Sequence, residues 1–154
     1  MRLIDRDLSG SQLRSLRLGT KKGTVQVVGA QRGRATPPAP ILRLGCIFFR
    51  TDAGAEPVRE WLKDELPEDA RKTIGGDIKT VQQTWPIGKP LVGSFGDGLW
   101  EVRSTCNKID YRTLFAIDGS TMVLLHGCEK HSKKTRQADL ALARRRKAQM
   151  EQRR

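Results

Sequence analysis

Residues 99–126 read LWEVRSTCNKIDYRTLFAIDGSTMVLLH and contain three strand candidates in succession. The candidates cover residues 99–104, 111–117 and 122–126, and each is rich in aliphatic, β-branched or aromatic residues. Asp118 and Gly119 separate the last two candidates, and this dipeptide is a strong signal for a two-residue hairpin turn. The stretch therefore predicts an antiparallel meander.

Alternation along the strands predicts which side chains share a face of the sheet. Glu101 and Arg103 lie on the face opposite Trp100 and Val102. In the next strand candidate, Arg112 shares one face with Leu114 and Ala116. Two explanations of these charged residues stay open. One is a solvated face on which Glu101 pairs with Arg103 or Arg112. The other is a concave cationic site whose guanidinium groups bind a phosphodiester and stabilise a pentavalent intermediate.

The rest of the chain supplies one more strand and three helices. The elements alternate in the order strand, helix, helix, strand, strand, strand, helix, which predicts a compact α+β domain: an antiparallel sheet with helices packed on one face. The three tryptophans fall on apolar faces and are predicted core residues, and His126 is predicted to be a structural, hydrogen-bonded histidine. The outer elements are a strand at 44–50, helices at 56–62 and 67–85, a Gly/Pro-rich loop at 86–98, a polar turn at 129–134 and a helix capped by Thr135.

The formal net charge of +12 is distributed unevenly over the 154 residues. Residues 1–45 carry nine basic and two acidic side chains, whereas residues 46–129 carry ten basic and thirteen acidic ones. The remaining segment, 130–154, has ten basic and two acidic side chains. An acidic body between two basic ends fits a nucleic-acid-binding protein with cationic arms, and it equally fits a folded domain with solubilising tails.

Composition also bounds the domain organisation. Residues 1–45 contain few large apolar side chains and include the proline-rich segment ATPPAP at 35–40, so we expect a disordered basic extension there and a folded domain at 46–150. No apolar stretch approaches the ~20 residues that span a bilayer, and no secretory signal is recognisable, so we expect a cytoplasmic protein without membrane contact. The three cysteines lack metal-ligand spacing and no carboxylate cage for Mg²⁺ is evident, so we expect no metal and no cofactor.

Seven short segments together resemble the phage-derived branch of the HigB/RelE/ParE toxin superfamily. The resemblance covers about residues 46–148 and follows the order and spacing of that family. The segments are IFFRTD (47–52), EPVREWL (56–62), IG (74–75), IKTVQ (78–82), GKPLV (88–92), GLWEVRS (98–104) and VLLHG (123–127).

This resemblance implies a RelE-like fold and the toxin of a type II toxin–antitoxin pair. HigB-like relatives are ribosome-dependent mRNA endonucleases, or mRNA interferases, that inhibit translation. Their cleavage needs no metal: the RNA 2′-hydroxyl attacks the neighbouring phosphate and leaves a 2′,3′-cyclic phosphate and a 5′-hydroxyl. The implied partners are mRNA on the ribosome and a helix-turn-helix, HigA-like antitoxin, with no small-molecule cofactor.

The resemblance also assigns residues. Arg103 and Arg112 are expected to bind the scissile phosphate, and either Glu101 or His131 to act as general base or acid. Lys130 and His131 fall on the basic pair that ends the last strand and complete the implied catalytic set. The residues expected to bind flanking RNA phosphates are Lys108, Lys133, Lys134 and Arg136.

Two alternative functions remain compatible with the same fold. A ParE-like poison of DNA gyrase would act by binding, without cleaving RNA. A non-catalytic RNA-binding protein or decayed toxin is also compatible, because Cys128 and His131 stand where many relatives have other residues.

We expect that deleting residues 1–40 leaves toxic activity within about twofold of that of the full chain, because the predicted catalytic residues all lie beyond residue 100. Growth inhibition after induced expression of both forms, at matched protein levels, measures this. A truncated protein that accumulates normally but is no longer toxic contradicts the prediction.

Overall fold

A computed structural model describes residues 43–132 and 135–154 of the chain. The predicted extension therefore lies almost wholly outside the described residues, as do Lys133 and Lys134. In chain order the elements are β1 (Gly45–Phe48), α1 (Pro57–Glu60) followed by a π-helical turn (Trp61–Glu65), α2 (Glu68–Thr84), β2 (Val92–Gly96), β3 (Leu99–Cys106), β4 (Ile109–Asp118), β5 (Thr121–Glu129) and α3 (Gln137–Glu151).

The five strands form one mixed sheet in the order β1-β5-β4-β3-β2. Strands β2 to β5 are an antiparallel meander, as the turn signals predict, and Asp118 pairs with Thr121 across the hairpin between β4 and β5. Strand β1 instead runs parallel to β5, with Gly45 opposite Thr121. The predicted α+β class is confirmed, and the parallel edge strand is the departure from a purely antiparallel sheet.

Apolar side chains are buried on both faces of the sheet. On one face, Ile74 and Val81 of α2 pack with Phe115 and Leu124. On the other face, α3 contributes to a second cluster with Leu114 and its neighbours. Because residues 114 and 115 point to opposite sides of β4, α3 covers the face opposite α2, whereas all helices were expected on one face. The side chains of α3 in this second cluster are Leu140 and Ala143.

Strand β2 occupies part of the stretch that the sequence analysis predicts as a loop, and that part of the prediction is wrong. The strand pairs with β3 through Val92 opposite Val102 and Gly93 opposite Glu101. It is a five-residue edge strand that contains two glycines, and such segments carry a weak strand pattern. Its pairing with β3, rather than its own propensity, accounts for its conformation.

The first helix begins as expected, with Pro57 in the first turn. The tryptophans belong to the core on the α2 face as predicted, although only Trp61 is buried and Trp85 and Trp100 are half-buried against it. Trp61 packs edge-on against Tyr111, and Trp85 packs edge-on against both Trp100 and Phe115. Among the described residues, no helix is both long and apolar enough to cross a membrane.

One glycine makes the packing of Trp61 possible. A Cβ atom at Gly127 of β5 would lie 2.1 Å from Cε3 of Trp61, well inside van der Waals contact. The indole ring has nowhere to move, because it is 9% exposed and packed in the core. Gly127 is therefore a packing requirement of the sheet on the face that α1 and α2 cover.

We expect Gly127→Ala to lower the free energy of unfolding by about 1–3 kcal/mol, because the added methyl group forces Trp61 or the strand to shift. Gly75→Ala is the matched control: a Cβ there meets nothing within 4 Å, and Ala replaces Gly inside α2. That control should stabilise the protein by roughly 0.5–1 kcal/mol. Urea denaturation followed by circular dichroism distinguishes the two, and equal effects of the two variants would contradict the packing argument.

Candidate functional site

A buried carboxylate holds two arginines together on the α3 face of the sheet. Glu101 is 1% exposed, and its Oε1 accepts a hydrogen bond from Nε of Arg103 at 2.8 Å. Its Oε2 accepts one from Nη1 of Arg112 at 2.5 Å. The Arg112 side chain is 12% exposed and that of Arg103 37%. Glu101 thus pairs with both arginines at once: with Arg103 on its own strand and with Arg112 across to β4.

The sheet register produces this arrangement. Arg103 of β3 lies directly opposite Arg112 of β4, and Glu101 lies two residues along β3 on the same face. Two like charges directly opposite one another repel, so a carboxylate between them offsets the repulsion. Gly93 of β2 lies opposite Glu101 and leaves room for these side chains. A Cβ atom at position 93 would lie 2.6 Å from Nη2 of Arg103 and 2.8 Å from Oε1 of Glu101. A residue larger than glycine at position 93 would displace the pair.

Arg112 lies between two cavities. One is a groove of about 390 Å³ that Arg103, Arg112 and Asp110 line, together with Leu91 and Thr105. The other is a small cavity between the end of β5 and the start of α3. Its lining residues are Arg112, Cys128, Glu129, Lys130, His131, Thr135, Arg136 and Asp139. The structure therefore brings Arg112, Lys130, His131 and Arg136 of the predicted site together around one cavity.

Three further residues of the predicted site, Lys130, His131 and Lys108, differ in their exposure and in their distance from the cavities. Lys130 is half-buried, with Nζ 3.9 Å from a carboxylate oxygen of Asp110. The imidazole of His131 is exposed, and its Nε2 lies 3.2 Å from Oε1 of Glu129. Lys108 is exposed in the turn between β3 and β4 and lines neither cavity. It is therefore separate from the arginine pair.

Most of the buried polar side-chain atoms without a partner occur at this site. Among the described residues there are four: Oγ of Ser104, Nε of Arg112, Oγ1 of Thr113 and Oγ1 of Thr135. Ser104 and Arg112 line the groove, and Arg112 and Thr135 line the small cavity. A buried polar group without a partner costs about 1–3 kcal/mol, so these groups need a partner from water or from a bound polar ligand.

A second charged network ties α3 to the sheet. Asp139 in the first turn of α3 is buried, with Nε2 of His126 2.9 Å from its Oδ1 and Nε of Arg136 2.9 Å from its Oδ2. Burial acts to raise the pKa of the Asp139 carboxyl, but the hydrogen bonds from Arg136 and His126 outweigh it and hold that pKa below its usual value. The prediction that His126 is hydrogen-bonded is confirmed.

His126, Cys128 and Asp139 also have the composition of a metal site, because their ligand atoms lie within 4.8 Å of one another. However, Asp139 already accepts hydrogen bonds from Arg136 and is bonded to His126. Burial, and next the Asp139 carboxylate, raise the pKa of the Cys128 thiol to about 12, so the thiol is neutral at physiological pH. The guanidinium of Arg136 donates hydrogen bonds to both oxygens of Asp139 and competes with a cation for them. These residues fit a hydrogen-bonded network better than a metal centre.

Three residues of the site were missed by the sequence analysis. Asp139 stands in the first turn of a helix, where an acidic residue is expected for reasons unrelated to a site. Thr135 was assigned only as a helix cap, although the cap position of α3 is Arg136. Gly93 fell in the predicted loop. The one available signal was the i, i+3 spacing of Arg136 and Asp139, which favours a salt bridge on a helix.

Comparison with known families assigns the chain to the RelE/HigB-like toxins. Within that class it belongs to the family of phage-derived Gp49-like proteins (DUF891), whose model matches residues 60–148. The match includes every residue from Gly93 to Asp139 that forms the site described above. Membership implies association with an antitoxin partner. No curated protein sequence matches the chain.

The lowered pKa of Asp139 gives a pH-dependent prediction. We expect Asp139→Asn to lower the free energy of unfolding by about 1–3 kcal/mol at pH 7, because the charge-assisted bonds to Arg136 and His126 are lost. A depressed carboxyl pKa stabilises the fold above the unfolded pKa of about 3.9, and this contribution is lost as the pH falls through the folded pKa. The difference between the variant and the natural protein should therefore shrink below about pH 4.

Chemical denaturation from pH 7 to pH 3 measures this difference. Asp64→Asn is the control, because Asp64 is exposed and its replacement should change the stability by less than about 0.5 kcal/mol at any of these pH values. A constant difference for Asp139→Asn across the whole range would refute the assigned network.

Proposed function

We propose that this protein is a HigB-type toxin that cleaves mRNA on the translating ribosome without a metal. The observation that carries the proposal is the pair of guanidinium groups of Arg103 and Arg112, held on adjacent strands by the buried carboxylate of Glu101 and open to a groove. The family supports a toxin, and the paired arginines support a phosphodiester as its substrate.

The two arginines suit the charge that develops during phosphoryl transfer. When the RNA 2′-hydroxyl attacks the neighbouring phosphate, the 2′-oxygen–phosphorus bond forms and negative charge accumulates on the non-bridging oxygens. Each guanidinium has five N–H donors, and Glu101 accepts one hydrogen bond from each arginine. Other donors of Arg103 and Arg112 can therefore bind phosphate oxygens, and their positions are fixed before the substrate arrives.

Proton transfer is best assigned to His131. Both oxygens of Glu101 already accept hydrogen bonds from guanidinium groups, so we assign Glu101 as a positioning residue that orients the arginines. His131 lines the cavity beside Arg112, and an imidazole nitrogen can accept a proton directly from a neighbouring hydroxyl. In this assignment His131 accepts the proton of the attacking 2′-hydroxyl. The bond between phosphorus and the 5′-oxygen then breaks, and the leaving 5′-oxygen takes a proton from water to end as a 5′-hydroxyl.

Lys130 and Arg136 line the same cavity and would bind flanking phosphates of the RNA. Lys133 and Lys134 lie in the sequence between His131 and Thr135, which line this cavity. The same role is proposed for both lysines from the sequence alone. Lys108 would contact RNA only outside the cavity, from its exposed turn. A helix-turn-helix antitoxin of the HigA type is the proposed partner, and its coexpression from a neighbouring reading frame should restore growth.

We expect the double variant Arg103→Ala, Arg112→Ala to lose at least about 100-fold of its cleavage activity, because two phosphate-binding groups are removed. The measurement is induced expression followed by mapping of transcript ends, where the natural protein should produce mRNA fragments with 5′-hydroxyl ends. The double variant Lys63→Ala, Lys79→Ala is the matched control: it removes the same charge from exposed helix positions and should remain toxic.

Loss of folding must be separated from loss of chemistry, because Glu101 is left as an unpaired buried charge when both arginines are removed. Adding Glu101→Gln to the double variant neutralises that charge, and circular dichroism reports whether the triple variant folds. A folded but fully toxic variant would contradict the proposal. DNA damage with intact transcripts would instead identify a gyrase poison, and the absence of toxicity in the natural protein a non-catalytic relative.

A further inference from the structure

The groove beside Arg103 and Arg112 contains an acidic residue that phosphate binding does not explain. Asp110 lines this groove of about 390 Å³, together with Thr105 and the two arginines. A carboxylate repels the phosphates of RNA, so its position next to a candidate phosphate site needs a separate reason. The groove falls within the range of about 300–1,000 Å³ that is typical of small-molecule sites, so it has room for more than a phosphate.

The sheet register aligns Asp110 with the arginine pair. Thr105 of β3 lies opposite Asp110 of β4, and Arg103 lies opposite Arg112 two residues away on the same strands. All four side chains therefore belong to the same face of the sheet. The two pairs are spaced roughly 7 Å along the strands, which is comparable with the distance between a phosphate and its base across a ribose.

The carboxylate of Asp110 is held in position and still has acceptor capacity. Its Oδ1 accepts a hydrogen bond from Oγ1 of Thr105 at 2.7 Å, and its Oδ2 lies 3.9 Å from Nζ of Lys130. An ionised carboxylate offers about four lone-pair positions, and the threonine occupies one of them. The Asp110 side chain is 46% exposed, so the donors of a ligand can reach the others.

Apolar side chains form another part of the groove. Pro90 is exposed, Leu91 is half-buried, and both line the groove just before β2. Ligand sites commonly combine such apolar walls with a few polar groups that fix the orientation of the ligand. A planar base with one edge toward Asp110 fits this combination. A second phosphate does not, because it would meet a like charge.

A carboxylate discriminates among the four bases by their N–H donors. Single-stranded RNA exposes the Watson–Crick edges of its bases for such contacts. On that edge guanine has two adjacent donors, N1–H and the N2 amino group, which match the two oxygens of a carboxylate. Adenine and cytosine place a ring-nitrogen acceptor beside their amino group, and uracil places a carbonyl acceptor on each side of its single N–H. The carboxylate of Asp110 therefore favours guanine.

We propose that Asp110 is a specificity residue whose carboxylate binds the Watson–Crick edge of a guanine next to the phosphate held by Arg103 and Arg112. The proposal rests on the proposed ribonuclease function for RNA as the ligand. Thr105 is a positioning residue, because its hydroxyl fixes one oxygen of the carboxylate. Cleavage then favours sites at which a guanine adjoins the scissile phosphate.

Nucleotide binding to the purified full-length protein tests the base site without a ribosome. The monophosphates of guanosine, adenosine, cytidine and uridine are compared by heteronuclear NMR titration at constant ionic strength, each as the 3′- and the 5′-phosphate. At least one guanosine isomer should bind about tenfold more tightly than the other bases with their phosphate at the same position. The tighter isomer identifies whether the guanine precedes or follows the scissile phosphate.

Substitution of Asp110 separates base recognition from a general effect of charge. Asp110→Asn keeps the shape of the side chain but replaces one acceptor oxygen by an amide donor, so it should abolish the preference for guanine. Adenosine monophosphate should bind to this variant as well as to the natural protein or more tightly, because a negative charge is removed from the groove. A role in charge or folding alone would change the binding of all four nucleotides by the same factor.

Three further variants complete the comparison. Asp64→Asn removes the same charge from an exposed position in the π-helical turn and should leave the guanine preference unchanged. Thr105→Val should reduce the preference by about threefold or more, and Thr105→Ser should retain it. Equal or undetectable binding of the four nucleotides by the natural protein overturns the proposal, as does a guanine preference that Asp110→Asn retains.

The outcomes for the base site and for the ribonuclease are distinguishable. If the natural protein prefers guanosine monophosphate through Asp110 but cleaves no mRNA in cells, the base site stands and the ribonuclease proposal falls. If mRNA is cleaved but neither nucleotide binding nor the sequence around the mapped 5′-hydroxyl ends depends on Asp110, the ribonuclease proposal stands and the base site falls.

Discussion

The buried carboxylate of Glu101 is the interaction on which the candidate site depends. It is buried on β3, and its two oxygens fix guanidinium groups from adjacent strands at 2.8 and 2.5 Å. Without a negative charge at this position, Arg103 and Arg112 would face each other as uncompensated like charges. The glycine at position 93 is a condition of the same arrangement, since a larger side chain would occupy the space of the ion pair.

The same ion pairing decides where the positive charge of the domain is available. The segment from residue 46 to residue 129 is net acidic, so the site is not a product of a generally basic surface. Instead one carboxylate pairs with two arginines, which leaves one net positive charge on the three side chains. This charge lies beside the groove and the small cavity, both of which Arg112 lines. The charge of the site therefore depends on the pairing of Glu101 with its two arginines and not on the net charge of +12.

The sequence predicted the elements whose signals are local. Alternation placed Glu101, Arg103 and Arg112 on one face because the side-chain period of a strand is two, and the Asp118–Gly119 turn fixed the hairpin. The sequence also left open an ion pair of Glu101 with Arg103 or Arg112, and the structure shows both pairs. The spacing of residues along the chain could not show that both pairs form together, since that depends on the register between β3 and β4.

The features that were missed depend on contacts between distant segments. Strand β2 has too few β-forming residues to be recognised and takes its conformation from β3. The apolar residues of α3 predicted a packed helix, but a helical pattern does not specify which face of a sheet it covers. Asp139 looked like an ordinary first-turn acid, and its burial follows only from its contacts with Arg136 and His126.

The parallel edge strand has a consequence for the order in which the chain folds. Gly45 of β1 pairs with Thr121, so this strand must wait for a partner 76 residues later in the chain, whereas β2 to β5 pair with their immediate successors. Contacts between distant segments carry the larger loop-closure cost and form slowly. During folding, the meander of β2 to β5 can therefore form first. Strand β1 then pairs last, with a sheet that already contains both arginines.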